Sequence, residues 1–463
     1  MTKGRKVRSI QIIIMQQQTL WGHPKGLYIL FFTELWERFS YYGMRAILVL
    51  YLTANADRLN PGLGWNNVSA LELYGWYTML VYAMSVPGGL LADRLLGQKK
   101  TVMLGGILLC FGHFILAFDS IVAFYSGLVF IILGVGALKP NISSMVGSLY
   151  RKGDGRRDTA FTIFYVGINI GAFSAPLLVG YIGEVINWHY GFGLAGIGMA
   201  IGQVVYIYGQ RYLKDVGNLV PHQIHEGTKE RIRLTSVEKD RMIVLLLSFI
   251  IVIVFWGAYE QAGGLMNLYA KEKIDRVMLG FEVPASFLQS LHAFYVILIG
   301  APMAWFWVQW SKKGWESSSL FKMGLGTIIT GFGFLFLAGA AMETMESVTG
   351  KASIYWMFGA YFLHVVGELS ISPVALSFIT KMSPAKYVSF MMGAYFLATG
   401  IASKIAGIIG EIAQKAGELT IFMGVFIFCV GFGLVLILFV KKLKKLTHGA
   451  DDIEENVIVV EPE

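Results

Sequence analysis

The chain reads as an all-α polytopic membrane protein with about 12 transmembrane helices in two six-helix bundles. Three observations carry that reading. Mean hydropathy is +0.59, 55% of the 463 residues are hydrophobic and 15% are charged; soluble proteins hold about 45–50% apolar and about 25% charged residues. Apolar runs of spanning length recur about twelve times, each near the ~20 residues that cross a bilayer as a helix. Basic residues alternate between the breaks, 28 on one side of the implied membrane and 6 on the other. That asymmetry places the basic breaks in the cytoplasm.

The first span, 27–52, follows Lys3, Arg5, Lys6, Arg8 and Lys25 and precedes a break with the single basic residue Arg58. The second and third, 72–92 and 100–118, flank Arg94, Lys99 and Lys100, an inner break. The fourth, 121–143, leads to Arg151, Lys152, Arg156 and Arg157, again inner. The fifth and sixth, 159–184 and 190–210, close the first half. The longest polar break, 212–241, follows, and its basic content places it inside. The seventh to twelfth spans are 242–268, 286–310, 320–342, 353–379, 389–413 and 419–440. Inner breaks there hold Lys312, Lys313, Lys322, Lys381 and Lys386, and the last span runs into Lys441, Lys442, Lys444 and Lys445. The division is therefore an N-terminal tail (1–26), a first bundle (27–211), a connector (212–241), a second bundle (242–445) and an acidic tail (446–463). The tail, with Asp451, Asp452, Glu454 and Glu455, is expected to be disordered. An even number of spans puts both termini in the cytoplasm, of a cell inner membrane.

Several function classes fall away. The net charge of +8 is explained by topology, so nucleic acid is not an expected partner. Cys110 and Cys429 lie in separate apolar runs and read as packing residues, so neither a disulfide nor a metal site is expected. No cleavable signal peptide is read at the N-terminus. The motifs GxxxxGK[ST], HExxH and GxSxG do not occur, which argues against nucleotide-driven pumping and against hydrolytic chemistry. The chain is not expected to be an enzyme or to carry a cofactor. A six-plus-six layout argues for alternating access, with a solute site between the halves near the midplane, over a channel.

The first span contains its own contradiction. Glu34, Glu37, Arg38 and Arg45 lie within it, and insertion scales charge about 2.5–3.5 kcal/mol for each such residue at mid-membrane. Glu34, Glu37 and Arg38 are spaced i, i+3 and i+4, so they share one helix face, and Arg45 extends the stripe seven residues on from Arg38. That face must meet protein or water. An intramembrane ionisable cluster marks a path for ions, protons or polar solutes. The blander reading is a salt-bridged face that fixes helix geometry.

Glu34-x-x-Glu37-Arg38-Phe39-Ser40-Tyr41-Tyr42-Gly43 resembles the ExxERFxYYG signature of the proton-dependent oligopeptide transporters of the major facilitator superfamily. Gly88-Gly89-Leu90-Leu91-Ala92-Asp93-Arg94 is similar to the superfamily's loop between helices two and three. Further matches follow in order: Gly136-Ala137-Leu138-Lys139-Pro140-Asn141, Phe161 to Gly171, Phe255-Trp256-Gly257-Ala258-Tyr259-Glu260-Gln261, and Gly367-Glu368-Leu369-Ser370-Ile371-Ser372-Pro373. Two departures stand out. The 212–241 connector is too short for the two extra helices of many bacterial members, and Ser290-Leu291-His292 stands where Ser-Leu-Asn is common.

The resemblance implies a major facilitator fold and a proton-coupled symporter that imports di- and tripeptides as a monomer in the lipid bilayer, with H+ as coupling ion. A peptide zwitterion needs a positive end, a negative end and polar or aromatic walls. Arg38, Arg45 and Lys139 are candidates for its carboxylate, since an arginine fork can hold both oxygens. Glu368 is the candidate for its ammonium. Tyr42, Tyr82, Tyr165, Trp256 and Tyr395 are candidate walls, with Asn169, His292 and Ser372 as further contacts. Proton coupling is assigned to Glu34, Glu37 and Glu260 with Arg38 and Lys139, because a nearby cation favours an ionised carboxylate and burial favours the neutral acid. Other readings are symport of another small solute, nitrate or amino-acid-like, and a non-transporting peptide receptor. His113 and His364 read as packing histidines, and Lys404 has no assigned role.

Overall fold

The computed structural model describes residues 19–151, 154–214, 216–219, 235–384 and 387–451. The basic N-terminal stretch, about half of the connector and the acidic tail beyond Asp451 lie outside the described residues. The described chain is helical almost throughout: α1 (Lys25–Thr53), α2 (Asn67–Leu96), α3 (Gln98–Leu116), α4 (Ile121–Ser148), α5 (Arg156–Ile186), α6 (Trp188–Tyr212), α7 (Ser236–Lys273), α8 (Ala285–Lys312), α9 (Ser319–Glu346), α10 (Tyr355–Met382), α11 (Phe390–Ala416) and α12 (Glu418–Leu446). Helices α2 to α12 are long and apolar enough to cross a membrane by length and composition. The 29-residue α1 matches them in length; only its interior charges set it apart, as the sequence indicates.

Helix starts follow the local chemistry. The Asn66 side chain accepts from the Ser69 amide at the head of α2, and Asn187 accepts from His189 and Tyr190 at the head of α6. Thr235 and Glu238 form a reciprocal capping box before α7. Each satisfies amides that have no partner within the first helical turn. Pro140, Pro176, Pro302 and Pro373 sit inside α4, α5, α8 and α10. Such prolines persist in spanning helices where neighbouring side chains re-satisfy the backbone. Beside Pro140 the Asn141 side-chain amide donates to Ala137 O at 2.7 Å and to Gly88 O of α2 at 3.3 Å, a polar tie between α4 and α2.

The chain forms two compact units, one of residues 1–225 with Met266–Lys271 and Arg276–Phe294, the other of Glu226–Leu265, Glu272–Asp275 and Tyr295–Glu463. In the first unit α1 packs chiefly on α5 and α6, and α3 on α4. Gly171 of α5 permits the approach to the charged part of α1: a Cβ there would meet Leu35 O at 2.3 Å and Arg38 Cβ at 3.1 Å. In the second unit α9 packs on α10 and α12, and α7 on α11. Its core includes Phe249, Phe255, Tyr259, Leu320, Met323, Phe378 and Tyr395. In lipid this cohesion is close packing and interhelical hydrogen bonding, because lipid tails are as apolar as the side chains.

The unit boundary does not fall only at the connector. Helix α7 is interrupted by a 3-10 turn, Glu260–Gly263, before it resumes at Leu265–Lys273. Beyond the interruption Asn267 donates to Ala46 O of α1 at 2.9 Å and Lys271 to Leu50 O at 3.4 Å. The start of α8 is likewise held within the first unit. Glu184 of α5 accepts from the amides of Ala285 (2.9 Å) and Ser286 (3.2 Å) and from the Ser286 hydroxyl (3.0 Å). Arg276 lies 3.7 Å from the same carboxylate. Residues that the six-plus-six reading assigns to the second bundle therefore pack with the first through specific polar contacts.

Candidate functional site

The first unit carries a charged centre built on α1. Glu34, Glu37 and Arg38 are buried, at 2%, 0% and 4% exposure. The Arg38 Nε lies 3.0 Å from Glu34 Oε1 and 2.5 Å from Glu37 Oε2. One guanidinium thus serves two carboxylates, and its ring-facing side lies 5.7 Å from the Tyr41 centroid. Lys139 of α4, within electrostatic reach of both carboxylates, holds its ammonium 4.1 Å over the Tyr82 ring of α2. Two acids and two bases make the centre neutral when all four are ionised. Neutralisation is what makes burial of so much charge tolerable, since an uncompensated buried ion costs several kcal/mol.

Arg45 extends the stripe but has different company. Its Nε donates to Tyr74 Oη at 2.8 Å, and its guanidinium lies 5.9 Å from the Tyr42 ring and 5.8 Å from the Tyr74 ring. Tyr77, one helical turn beyond Tyr74, is 2% exposed, and its hydroxyl has no hydrogen-bond partner among the described residues. It lies within electrostatic reach of Arg45, Tyr41, Tyr74 and Glu37. On α5, buried Asn169 donates to Tyr165 O at 2.9 Å, while the Tyr165 side chain is exposed. His292, half-buried on α8, belongs to this unit by its packing, beside Ser290, whose hydroxyl donates to Phe173 O of α5 at 2.9 Å.

The second unit carries a carboxylate centre. Tyr259 Oη donates to Glu368 Oε2 at 2.8 Å. Glu368 on α10 is buried, and Glu260, at 2% exposure, sits where α7 is interrupted. Trp256 packs edge-on against Tyr259 with centroids 5.1 Å apart. Tyr395 of α11 is buried within electrostatic reach of Glu368. Ser372, one helical turn beyond Glu368, has a buried hydroxyl with no partner among the described residues. His364, one turn before Glu368, lies among rings, 4.9 Å from Phe334 and 6.3 Å from Tyr259.

The predicted residues thus fall into two sets. Glu34, Glu37, Arg38, Lys139 and Tyr82 come together, with Tyr42 on Arg45 alongside; Glu368, Tyr395 and Trp256 come together in the other unit. Tyr41, Tyr74, Tyr77 and Tyr259 are additions. Tyr259 stands inside a quoted motif next to Glu260, yet its role needs the α7–α10 packing to be seen. Tyr74 and Tyr77 carry no motif, and with 22 tyrosines in the chain only their distance to α1 distinguishes them.

Comparison with known proteins places these centres in a family. The model of the POT family matches residues 99–226 and 221–426. An uncharacterized transporter of Bacillus subtilis, YclF, is 36% identical over 94% of this chain and 97% of its own length. The di-/tripeptide transporter of Lactococcus lactis subsp. cremoris is 33% identical over 93% of this chain and 98% of its own. Among solved structures, a peptide transporter POT in complex with sulfate superposes with a TM-score of 0.86 at 33% identity, covering 93% of this chain and 97% of the other. A variant of a peptide transporter POT in complex with alafosfalin gives the same score, identity and coverage. This chain, a multi-pass membrane protein with the fold of those transporters, belongs to the POT family.

Proposed function

We propose that the chain is a proton-coupled symporter that imports di- and tripeptides by alternating access, working as a monomer in the cell inner membrane with both termini cytoplasmic. The observation that carries this is the charge balance on α1: two buried carboxylates share Arg38, with Lys139 in reach. With both acids ionised the centre is neutral and offers a peptide carboxylate no net attraction. A proton on Glu37 or Glu34 leaves one unit of positive charge, and Arg38 and Lys139 then attract that carboxylate. Loss of the proton to the cytoplasm removes the attraction and releases the peptide. Binding and protonation favour one another in this scheme, as linkage demands of a symporter.

The peptide ammonium is taken by Glu368, whose second oxygen is held by Tyr259. Tyr395 lies within electrostatic reach of the same carboxylate, and Ser372 stands one helical turn beyond it on α10. Glu260 is the second proton-linked acid, placed at the α7 interruption. Tyr42, Tyr82, Tyr165, Trp256, Asn169 and His292 form walls and backbone contacts. No cofactor takes part; the coupling ion is H+. The names of the relatives support the peptide as substrate class, and the carboxylate at Glu368 disfavours nitrate, which it would repel.

Purified protein in liposomes, given labelled di-alanine with and without an imposed pH gradient, tests the reading. Wild type accumulates peptide when the outside is acidic and also exchanges internal for external peptide. Glu37→Gln retains exchange and loses gradient-driven accumulation. Uphill uptake that survives in Glu37→Gln, or counterflow of nitrate in place of peptide, rejects it.

A further inference from the structure

A second concentration of charge and aromatic rings lies far along the chain from the centres above, where α8 ends and α9 begins. Trp305, Trp307, Trp310 and Trp315 fall within a few residues of one another. The break at 313–318 folds back so that Trp315 meets Trp310 with centroids 4.6 Å apart. Trp305 (66%), Val308 (52%) and Trp315 (52%) stay exposed on a face expected to meet lipid. Lys313 Nζ lies 4.9 Å from the Trp315 centroid and Lys322 Nζ 5.1 Å from that of Trp307.

Two buried donors at this place have no acceptor. Trp307 is 8% exposed and Ser318 5%; the Trp307 indole N–H and the Ser318 hydroxyl have no partner among the described residues. Trp310, by contrast, donates to Glu316 O at 2.8 Å. Ser318 stands one helical turn before Lys322, on the same side of α9. The acids nearby are occupied. Glu316 accepts from the Ser318 amide at 2.9 Å, and Asp451 accepts from the Ser319 amide at 2.9 Å and its hydroxyl at 2.5 Å. Lys322, Lys381 of α10 and Lys444 of α12 lie in electrostatic reach of these acids or of one another, and Lys312 and Lys313 precede them in the same segment. Among the described residues five lysines stand with two acids here, and the excess is positive.

Unmet donors and surplus cations among the described residues call for an oxyanion. The position at the ends of two spanning helices, under exposed tryptophans, selects which one. Tryptophan belts sit at headgroup level, and basic pockets between helices on the cytoplasmic side hold anionic headgroups. We infer that Trp307, Ser318 and Lys322 form a binding site for the phosphodiester of an anionic phospholipid, with Lys312 and Lys313 at its rim and Trp305 and Val308 along its acyl chains. The site stands independently of the peptide reading.

Native mass spectrometry of the detergent-extracted protein, titrated with phosphatidylglycerol or phosphatidylcholine, tests it. Phosphatidylglycerol adducts form at lower lipid concentration. Lys322→Gln weakens them about fivefold, since one such lysine is worth about 1 kcal/mol. Trp307→Phe, which keeps a ring and deletes the N–H, weakens them by a similar factor, about fivefold for a net hydrogen bond near 1 kcal/mol. Lys415→Gln, in the last turn of α11 and outside the site, leaves them unchanged. Equal binding of the two lipids, an equal loss in Lys415→Gln, or displacement by excess inorganic phosphate overturns the inference. Should Lys322→Gln fail to fold, Trp307→Phe decides alone.

Discussion

The two buried acidic centres differ in how their charge is compensated. Around α1, Glu34 and Glu37 are locked onto Arg38 with Lys139 in reach, so positive and negative groups balance. Around α10, Glu368 is held by a neutral hydroxyl, Tyr259 at 2.8 Å. A carboxylate that shares a guanidinium is set to respond to protonation, because adding one proton changes which charges cancel. A carboxylate that accepts from a neutral hydroxyl, as Glu368 does from Tyr259, keeps its negative charge when that bond is made. In the proposed function the first centre senses the proton and the second binds the ammonium.

The sharpest way to break the contrast is to remove the shared cation. Arg38→Gln leaves two buried carboxylates with one cation near them. Breaking a buried ion pair by deleting one partner costs about 3–5 kcal/mol. Both gradient-driven uptake and exchange should therefore vanish in Arg38→Gln, measured in liposomes against a folded-protein control by size-exclusion chromatography. Exchange at the wild-type rate would mean that Arg38 neither holds the acids nor meets the peptide carboxylate.

Next in size is the ammonium side. Glu368→Gln keeps the shape and most hydrogen bonding but removes the charge. A hydrogen bond to a charged group contributes about 1.5–3 kcal/mol, so the KM for di-alanine should rise by about tenfold or more while the pH optimum stays put. A shifted pH optimum with unchanged KM would exchange the roles of the two centres. Tyr259→Phe tests the same point more gently. Loss of this one donor, with the Glu368 charge kept, should raise KM by less than Glu368→Gln does and leave uphill accumulation intact.

How much of this was legible in the sequence depended on whether the information was local. The stripe on α1 could be read because its members lie within a few helical turns and because lipid makes charge conspicuous. The number and order of helices followed from hydropathy for the same reason. The breaks in packing could not be read. Nothing in the residues around Glu184 announces that its carboxylate, a hundred residues away in sequence, caps the start of α8 through Ala285 and Ser286. For that reason His292, which sequence places in the second half, packs with the first unit. Tyr74 and Tyr259 were hidden in the same way, since a tyrosine on an apolar helix is ordinary until the partner across the interface is known. Arg45 continues the stripe, but its ties to Tyr42 and Tyr74 need the packing of α2 on α1 to be seen.

The smallest effect comes from a carboxyl outside the membrane that is neither locked on a guanidinium nor offered to a ligand. Asp451, 5% exposed, caps the head of α9 through Ser319. Burial holds its carboxyl above the ordinary value near 3.8, against the pull of the Ser319 hydrogen bonds and of Lys381 and Lys444. The folded chain then binds this proton more tightly than the unfolded chain, so the stabilisation is complete at acid pH and is lost as pH rises through the folded pKa. Asp451→Asn keeps an acceptor oxygen for the Ser319 amide and cannot ionise. Melting followed by tryptophan fluorescence in detergent should therefore find wild type favoured over Asp451→Asn most at about pH 4, with the difference shrinking by roughly 1–2 °C toward about pH 7. A difference that grows with pH would mean that the lysines outweigh burial, and that the cap at α9 is compensated in the manner of α1 and not of α10.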